Sequence, residues 1–212
     1  MVQRGQKRND GIETIALIKK FALKELDKYG SVQFNLDRVL RLSGISRGSV
    51  YHHFGSRDGL LSTLELETSL TRTLEELALV RQLVEAATTR REMLDTFAIG
   101  FSAGDNAATR QRRLRRIASI AASEKNRALT QALHDAQIVG TEEFVSIIRL
   151  AEQKGLVQLS SSAEGTAYLL QSMLLGRVLV DISASTEAQE KWMQSTLVAI
   201  KALLGLSDVT DN

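Results

Sequence analysis

Along most of this chain apolar residues return every three or four positions, the rhythm of a helix with one buried face, and strand-like alternation is almost absent. Proline, the strongest helix breaker, does not occur. The pattern predicts an all-α protein of about nine helices. One spans residues 11–29, two short ones lie within 36–54, and a long one runs from 56 into the 80s. Later helices fall near 88–103, 109–124, 127–154, 163–184 and 186–205. Gly104-Asp105-Asn106, Gly155 and Ser160-Ser161-Ser162 supply the breaks between them. No internal repeat or low-complexity segment interrupts the series.

The segment from Asn35 to Leu61, NLDRVLRLSGISRGSVYHHFGSRDGLL, has a different grain. A short apolar-patterned stretch, Leu36 to Leu42, meets a tight turn at Ser43-Gly44-Ile45-Ser46, and a second short stretch runs to Phe54. That is the layout of a helix-turn-helix. Gly44 can take the left-handed backbone that ends a helix, and Ser46 can cap the next one by accepting a backbone N–H. Val50 and Phe54, four apart, share an inward face. Arg47, Ser49, Tyr51, His52 and His53 then offer hydrogen-bond donors where a recognition helix meets phosphates and base edges. Ser56 caps the following helix, with Asp58 favourably placed in its first turn.

The string Gly44-Ile45-Ser46-Arg47-Gly48-Ser49-Val50-Tyr51-His52-His53-Phe54, followed by Gly55, Ser56, Arg57, Asp58 and Leu60, resembles the tetracycline-repressor-like (TetR) family of bacterial transcriptional regulators. Ala22, Leu26 and Gly30 fall where that family's first helix packs and ends, so the resemblance covers roughly residues 12–66. Leu40 departs from it, standing where a small alanine is common, as does Asp37, where a polar or basic residue often lies. The resemblance implies a three-helix helix-turn-helix DNA-binding domain over residues 1–55, with an arm at 1–10, and a helical effector-binding and dimerisation domain over 56–212. It also implies a homodimer on a palindromic double-stranded operator, with the Ser46–Phe54 helix in the major groove. Arg47 and Ser49 would then meet base edges, and Tyr51, His52, His53 and Arg57 phosphates or thymine methyls. Asn35, Ser46 and Gly48 complete the DNA-facing set.

Charge sharpens the division. The net value is +2, but residues 1–60 hold 11 Lys or Arg against 6 Asp or Glu, and the remainder 16 against 19. A surplus of +5 in the first part suits attraction to phosphates, with base contacts needed for discrimination. Arg4, Lys7 and Arg8 form a basic arm that either lies along the DNA or serves as a solubilising terminus. With 212 residues, 43% of them apolar, the chain can bury a sizeable core. It has no cysteine, no apolar run of membrane-spanning length and no signal-peptide core, which fits a cytoplasmic protein.

Near the end, residues 167–182 are apolar over more than one face, so that helix is either central or an interface. Leu170, Met173, Leu174, Arg177 and Val178, with Trp192, Leu197 and Ile200 from the last helix, are candidates for a two-fold four-helix interface; an ordinary core pair is the alternative. Phe97, Phe101, Ile117, Ile120, Phe144, Ile148 and Tyr168, with Ile99 and Ile147, are candidates for an effector cavity, and core packing explains them equally well. Arg110, Arg112, Arg113, Arg115 and Arg116 cannot share one helical face; the run reads as a solvated surface or as a contact for an acidic effector. Asp181 and Arg177 could pair across the interface or serve a ligand.

Catalysis fits poorly. His52 and His53 diverge by about 100° around a helix, which is poor geometry for one metal. No phosphate loop, nucleophile elbow or zinc spacing occurs, so neither a catalytic residue, a metal nor a cofactor is expected. The expected function is a ligand-responsive repressor released from its operator by a small molecule. A ligand-independent or protein-partner-controlled DNA-binding protein on the same fold is the alternative.

Overall fold

The computed structural model describes residues 2–102, 106–124 and 126–209; the side chains of residues 2–10, 31 and 32 lie outside that description. The elements are α1 (Val2–Gln33), α2 (Leu36–Ser43), α3 (Arg47–Phe54), α4 (Arg57–Ala86), α5 (Arg90–Ser102), α6 (Ala107–Ser123), α7 (Arg127–Gln153), α8 (Ala163–Gly176), α9 (Val178–Ser183) and α10 (Thr186–Leu203). The fold is all-α, as the hydrophobic spacing predicts. Two differences stand out. The backbone is helical from Val2, so α1 continues into the stretch expected as an arm, and it breaks at Gly30 (φ 71°, ψ 170°), next to the expected end. The basic side chains of Arg4, Lys7 and Arg8 lie outside the described residues. The helix expected over 163–184 is divided at Arg177, where the Val180 N–H bonds back only three residues, to the Arg177 carbonyl (2.9 Å).

Side-chain caps explain why the helices start where they do, each oxygen accepting one of the first-turn N–H groups that have no partner inside the helix. Asn35 accepts from the Arg38 N–H (3.2 Å), Ser46 from Ser49 (3.1 Å), Ser56 from Gly59 (2.9 Å) and Ser162 from Gly165 (3.0 Å). At α5 the cap is reciprocal. Thr89 Oγ1 accepts from the Glu92 N–H (3.2 Å), while the Glu92 carboxylate accepts from the N–H groups of Thr88 (2.7 Å) and Thr89 (3.0 Å). Those backbone donors hold Glu92 below the usual glutamate value. The far end of α4 is closed by Lys154, whose ammonium donates to the carbonyls of Val84 (2.9 Å), Glu85 (2.6 Å) and Ala87 (2.7 Å). A cation at a helix C-terminus also meets the negative end of the macrodipole.

The chain forms two compact units, Met1–Ser69 with Ser119–Ala136, and Leu70–Ala118 with Gln137–Asn212. In the first, Ile18 and Ala22 of α1, Leu36 and Val39 of α2, Val50 and Phe54 of α3, and Leu60 and Leu64 of α4 close over one another. Each large aliphatic or aromatic side chain removed from water there stabilises by roughly 1.5–3 kcal/mol. In the second, Met93, Phe97 and Phe101 of α5 pack with Phe144, Ile147 and Ile148 of α7, Leu170 of α8 and Ile200 of α10. Among the described residues no helix is long and apolar enough to cross a membrane.

Two substitutions test this packing. Gly59 sits under the last carbonyl of α3, and an added Cβ would collide with that oxygen of Phe54 and come within 2.6 Å of Asn126 Nδ2. Gly59→Ala is expected to lower unfolding free energy by about 1–3 kcal/mol in urea titration. Lys154→Met, which keeps the aliphatic stem but strips three carbonyls of their donor, is expected to cost about 1 kcal/mol in the same assay.

Candidate nucleic-acid interface

An eight-residue helix such as α3 is too short to be stable alone, so its orientation comes from what holds it. Gly44 closes α2 at φ 71°, with its N–H on the Leu40 carbonyl (2.9 Å), and Ser46 opens α3 two residues later. Val50 and Phe54 are buried in the first unit's core. The opposite face of α3 is therefore turned to water, with Arg47, Gly48, Tyr51 and His52 exposed and Ser49 and His53 half-buried. Ser46 and Asn35 are exposed as well, but their side chains serve as caps of α3 and α2.

Arg47 is held on both sides. Its Nη1 donates to the hydroxyl of Tyr51, one turn on (3.1 Å), and its Nη2 pairs with the Asp37 carboxylate from the first turn of α2. Tyr51 and then Asp37 raise its pKa further, so the charge is permanent. Asp37, one of the two departures from the family pattern, thus becomes the clamp on the most prominent cation of α3. His53 behaves differently: burial, and after it the neighbouring His52, push its pKa below the usual histidine value. It is neutral at pH 7 and offers a single N–H rather than a charge. Arg57 lies over the Phe34 ring (5.4 Å) and donates to the Phe34 carbonyl (3.1 Å) and to Asp58 (2.9 Å), which ties the start of α4 to the α1–α2 junction.

Behind this face lies a frame that sequence reasoning missed. Glu25 of α1, almost fully buried, accepts from Arg38 Nε (2.8 Å) and from the Asn35 N–H (3.1 Å), and the Arg38 guanidinium stacks 4.2 Å from the centroid of Tyr29. The Arg38 hydrogen bond outweighs the opposing effect of burial, so the carboxyl lies below its ordinary value. A second tie comes from Asn126, before α7. Its Nδ2 donates to the Phe54 carbonyl (3.4 Å), and its Oδ1 caps α7 by accepting from the Leu129 N–H (3.1 Å). Nothing in the local pattern marks Asn126, because its partner is 72 residues away.

The other candidate residues separate by burial. Phe97, Phe101, Phe144, Ile147 and Ile148 are interior to the second unit's core, whereas Ile99, Ile117 and Ile120 are exposed. Tyr168 is exposed and lines a groove of about 490 Å³ with Ile138, Thr141, Glu142, Val145, Arg149 and Glu164. Of the residues expected at a dimer interface, Leu170, Arg177, Val178 and Ile200 are buried within their own chain. Met173, Leu174, Trp192 and Leu197 are half-buried. Arg177, 1% exposed, donates to the Phe101 carbonyl (2.9 Å) and lies 4.9 Å from the Trp192 ring centroid, so it braces α5 and α10 from inside. Asp181 forms a two-pronged pair with Arg113 (2.7 and 2.8 Å) within the same chain. The exposed apolar residues on α8 to α10 are others: Leu169, Leu179 (74%), Ile182 (69%) and Val198 (69%).

A capped turn with a cationic, hydrogen-bonding helix face behind it defines a DNA-binding regulator of the helix-turn-helix class. Residues 20–64 match the family model described as bacterial regulatory proteins, tetR family. The whole fold agrees with solved structures. GusR of Salmonella enterica is 20% identical, with 91% of this chain and 96% of that one aligned and a TM-score of 0.52. A TetR-family regulator structure from Rhodococcus sp. is 22% identical over 91% and 98% (TM-score 0.51), and one from Mesorhizobium loti MAFF303099 is 16% identical over 91% and 96% (TM-score 0.54). At such identities the likeness is one of fold. No curated protein sequence matches the chain.

Two expectations follow from the frame and the clamp. Glu25 has a folded-state pKa below its unfolded value, so its stabilisation is complete above the ordinary glutamate range and is lost as pH falls through the folded value. Wild type should melt higher than Glu25→Gln at pH 7 and lose that advantage in acid; a gap independent of pH would contradict the ion pair. Asp37→Asn removes a negative charge beside DNA and frees Arg47 to wander. In fluorescence anisotropy it should tighten binding to scrambled DNA more than to operator, lowering the ratio between them.

Proposed function

We propose that this protein is a homodimeric repressor that grips a palindromic operator and lets go when a small molecule enters its helical body. In this reading residues 1–55 are the DNA reader and residues 56–212 carry effector binding and dimerisation, and the protein works in the cytoplasm. The observation that carries it is the outward face of α3. Arg47 is held extended by Asp37 and Tyr51, with His52 beside it, on a helix whose other face is buried. Held this way, a guanidinium loses little freedom on meeting the O6 and N7 of a guanine. Arg47 and Ser49 read bases; Tyr51, His52, His53 and Arg57 set the position on phosphates, with Asn35, Ser46 and Gly48 at the same surface.

One such helix makes too few contacts for useful discrimination, and a two-fold pair reads half-sites about one helical turn or a multiple of it apart. The exposed Leu169, Leu179, Ile182 and Val198, carried by three successive helices, support self-association through α8 to α10, where a second copy would remove them from water. Release follows from linkage: an effector that favours a spacing of the two readers unlike that of the operator must bind less tightly when DNA is bound. Asn126, which touches the end of α3 from the start of α7, supports a mechanical route for that coupling. One observation favours the ligand-independent alternative. The phenylalanines expected to line a cavity are buried in the second unit's hydrophobic core.

Salt-titrated binding to operator and scrambled duplexes tests the reader. Tyr51→Phe and Arg57→Ala should weaken both in proportion, whereas Arg47→Ala should lose operator preference as well; equal losses on the two duplexes would remove Arg47 from base reading. For the assembly, Leu179→Glu with Ile182→Glu should yield monomers in sedimentation that keep wild-type helicity and lose operator affinity. A dimer unaffected by both changes would place the interface elsewhere.

A further inference from the structure

The arginine run of α6 resolves into distinct environments. Arg113 is clasped by Asp181, whose carboxylate also lies 3.9 Å from Arg110. Arg112 pairs with Glu76 (3.1 Å), and Arg115 is exposed to water. Arg116 is unlike these. It is half-buried, and its guanidinium donates to a neutral group, the Gln137 side-chain carbonyl (3.1 Å). Burial alone sets the direction in which its pKa moves, downward, with no carboxylate pulling the other way. A guanidinium carries five N–H donors in a planar fork, and a charge taken out of water without a counter-charge is unfavourable unless something else supplies one.

The groups around it are ordered. Gln137 Nε2 donates to Gln171 Oε1 (2.6 Å) and to Thr141 Oγ1 (2.9 Å), and Gln171 Nε2 donates to Thr141 Oγ1 (3.2 Å). Three side chains from α7 and α8 thus fix one another, and through Gln137 they fix the Arg116 fork. Thr141 belongs both to this network and to the wall of the 490 Å³ groove, where Ile138, Val145 and Tyr168 add apolar surface. Charge in the groove wall is uneven: Arg149 pairs with Glu164, while Glu142 adds a carboxylate.

We propose that Arg116, Gln137, Thr141 and Gln171 form the polar end of an effector site for a small organic carboxylate, whose apolar part lies against Ile138, Val145 and Tyr168. This rests on the effector-release function proposed above and names its ligand class. The carboxylate accepts two parallel bonds from the Arg116 fork and completes the ion pair that the chain leaves open. An apolar cavity of phenylalanines is not required, so the burial of those residues in the core does not count against an effector.

The test uses the full-length protein with hexanoate, benzoate and phenylacetate, each beside its uncharged amide, in thermal-shift and calorimetric titrations. At least one acid should raise the melting temperature saturably while its amide does not. Arg116→Met should bind that acid about tenfold more weakly, the loss expected for a charge-assisted bond, and melt no lower than wild type because it removes an uncompensated cation. Failure of every acid to bind, binding in Arg116→Met within about twofold of wild type, or a markedly lower melting temperature for that variant would overturn the site. So would a shift to monomers in sedimentation, since a second copy would then supply the counter-charge. An operator-release assay separates the two claims: an acid that binds through Arg116 but leaves DNA bound sinks the release mechanism and keeps the site. A compound that releases DNA equally from Arg116→Met does the reverse.

Discussion

Everything the exposed face of α3 offers depends on the burial of Val50 and Phe54 in the first unit's core. Those two residues, one helical turn apart, leave α3 a single way to lie, and so decide that Arg47, Tyr51 and His52 meet water rather than protein. The caps set where the helix begins and ends, but a cap is indifferent to rotation about the helix axis. Only the anchored apolar pair removes that freedom. The frame of Glu25, Arg38 and Tyr29 then holds α2 against α1, which fixes the platform from which Asp37 reaches Arg47.

Electrostatics on this surface works by arrangement rather than by net charge. Arg47 is charged at any pH the protein meets, and what the fold adds is a position. Asp37 and Tyr51 hold its side chain extended, and the same carboxylate discourages indiscriminate attraction to phosphates. His53, kept neutral by burial, contributes directionality without adding to the sequence-independent pull. In the function proposed, specificity by such means would trade raw affinity for discrimination among the DNA sequences the protein meets.

In the second unit the same accounting of charge separates structure from opportunity. Arg113 is paired with Asp181, and Arg177 is held by the Phe101 carbonyl and the Trp192 ring, so both serve packing inside the chain. Arg116 is held by a neutral amide, Gln137, itself fixed by Gln171, which positions it without neutralising it. A rigid, ordered cation of this kind is the form in which a binding residue differs from a structural one: its geometry is prepared and its charge is left over.

The division at Arg177 and the helical start at Val2 were not determined by the sequence alone, whereas most of the helices, the capped turn at Gly44 to Ser46, and the two faces of α3 were. Those features rest on interactions spanning four residues or fewer, in which periodicity, a left-handed glycine and a capping hydroxyl act on their own neighbours. What tertiary structure decided lies at longer range. Ile200 is core while Val198 is surface, and Phe97 is interior while Ile99 is open, although each pair is equally apolar and only two residues apart. Arg113 found a carboxylate 68 residues away, Arg116 did not, and Asn126 reached back 72 residues to the end of α3. No local pattern encodes those outcomes, because burial and ion pairing depend on which distant helix face arrives opposite, and that is settled only when the whole chain packs.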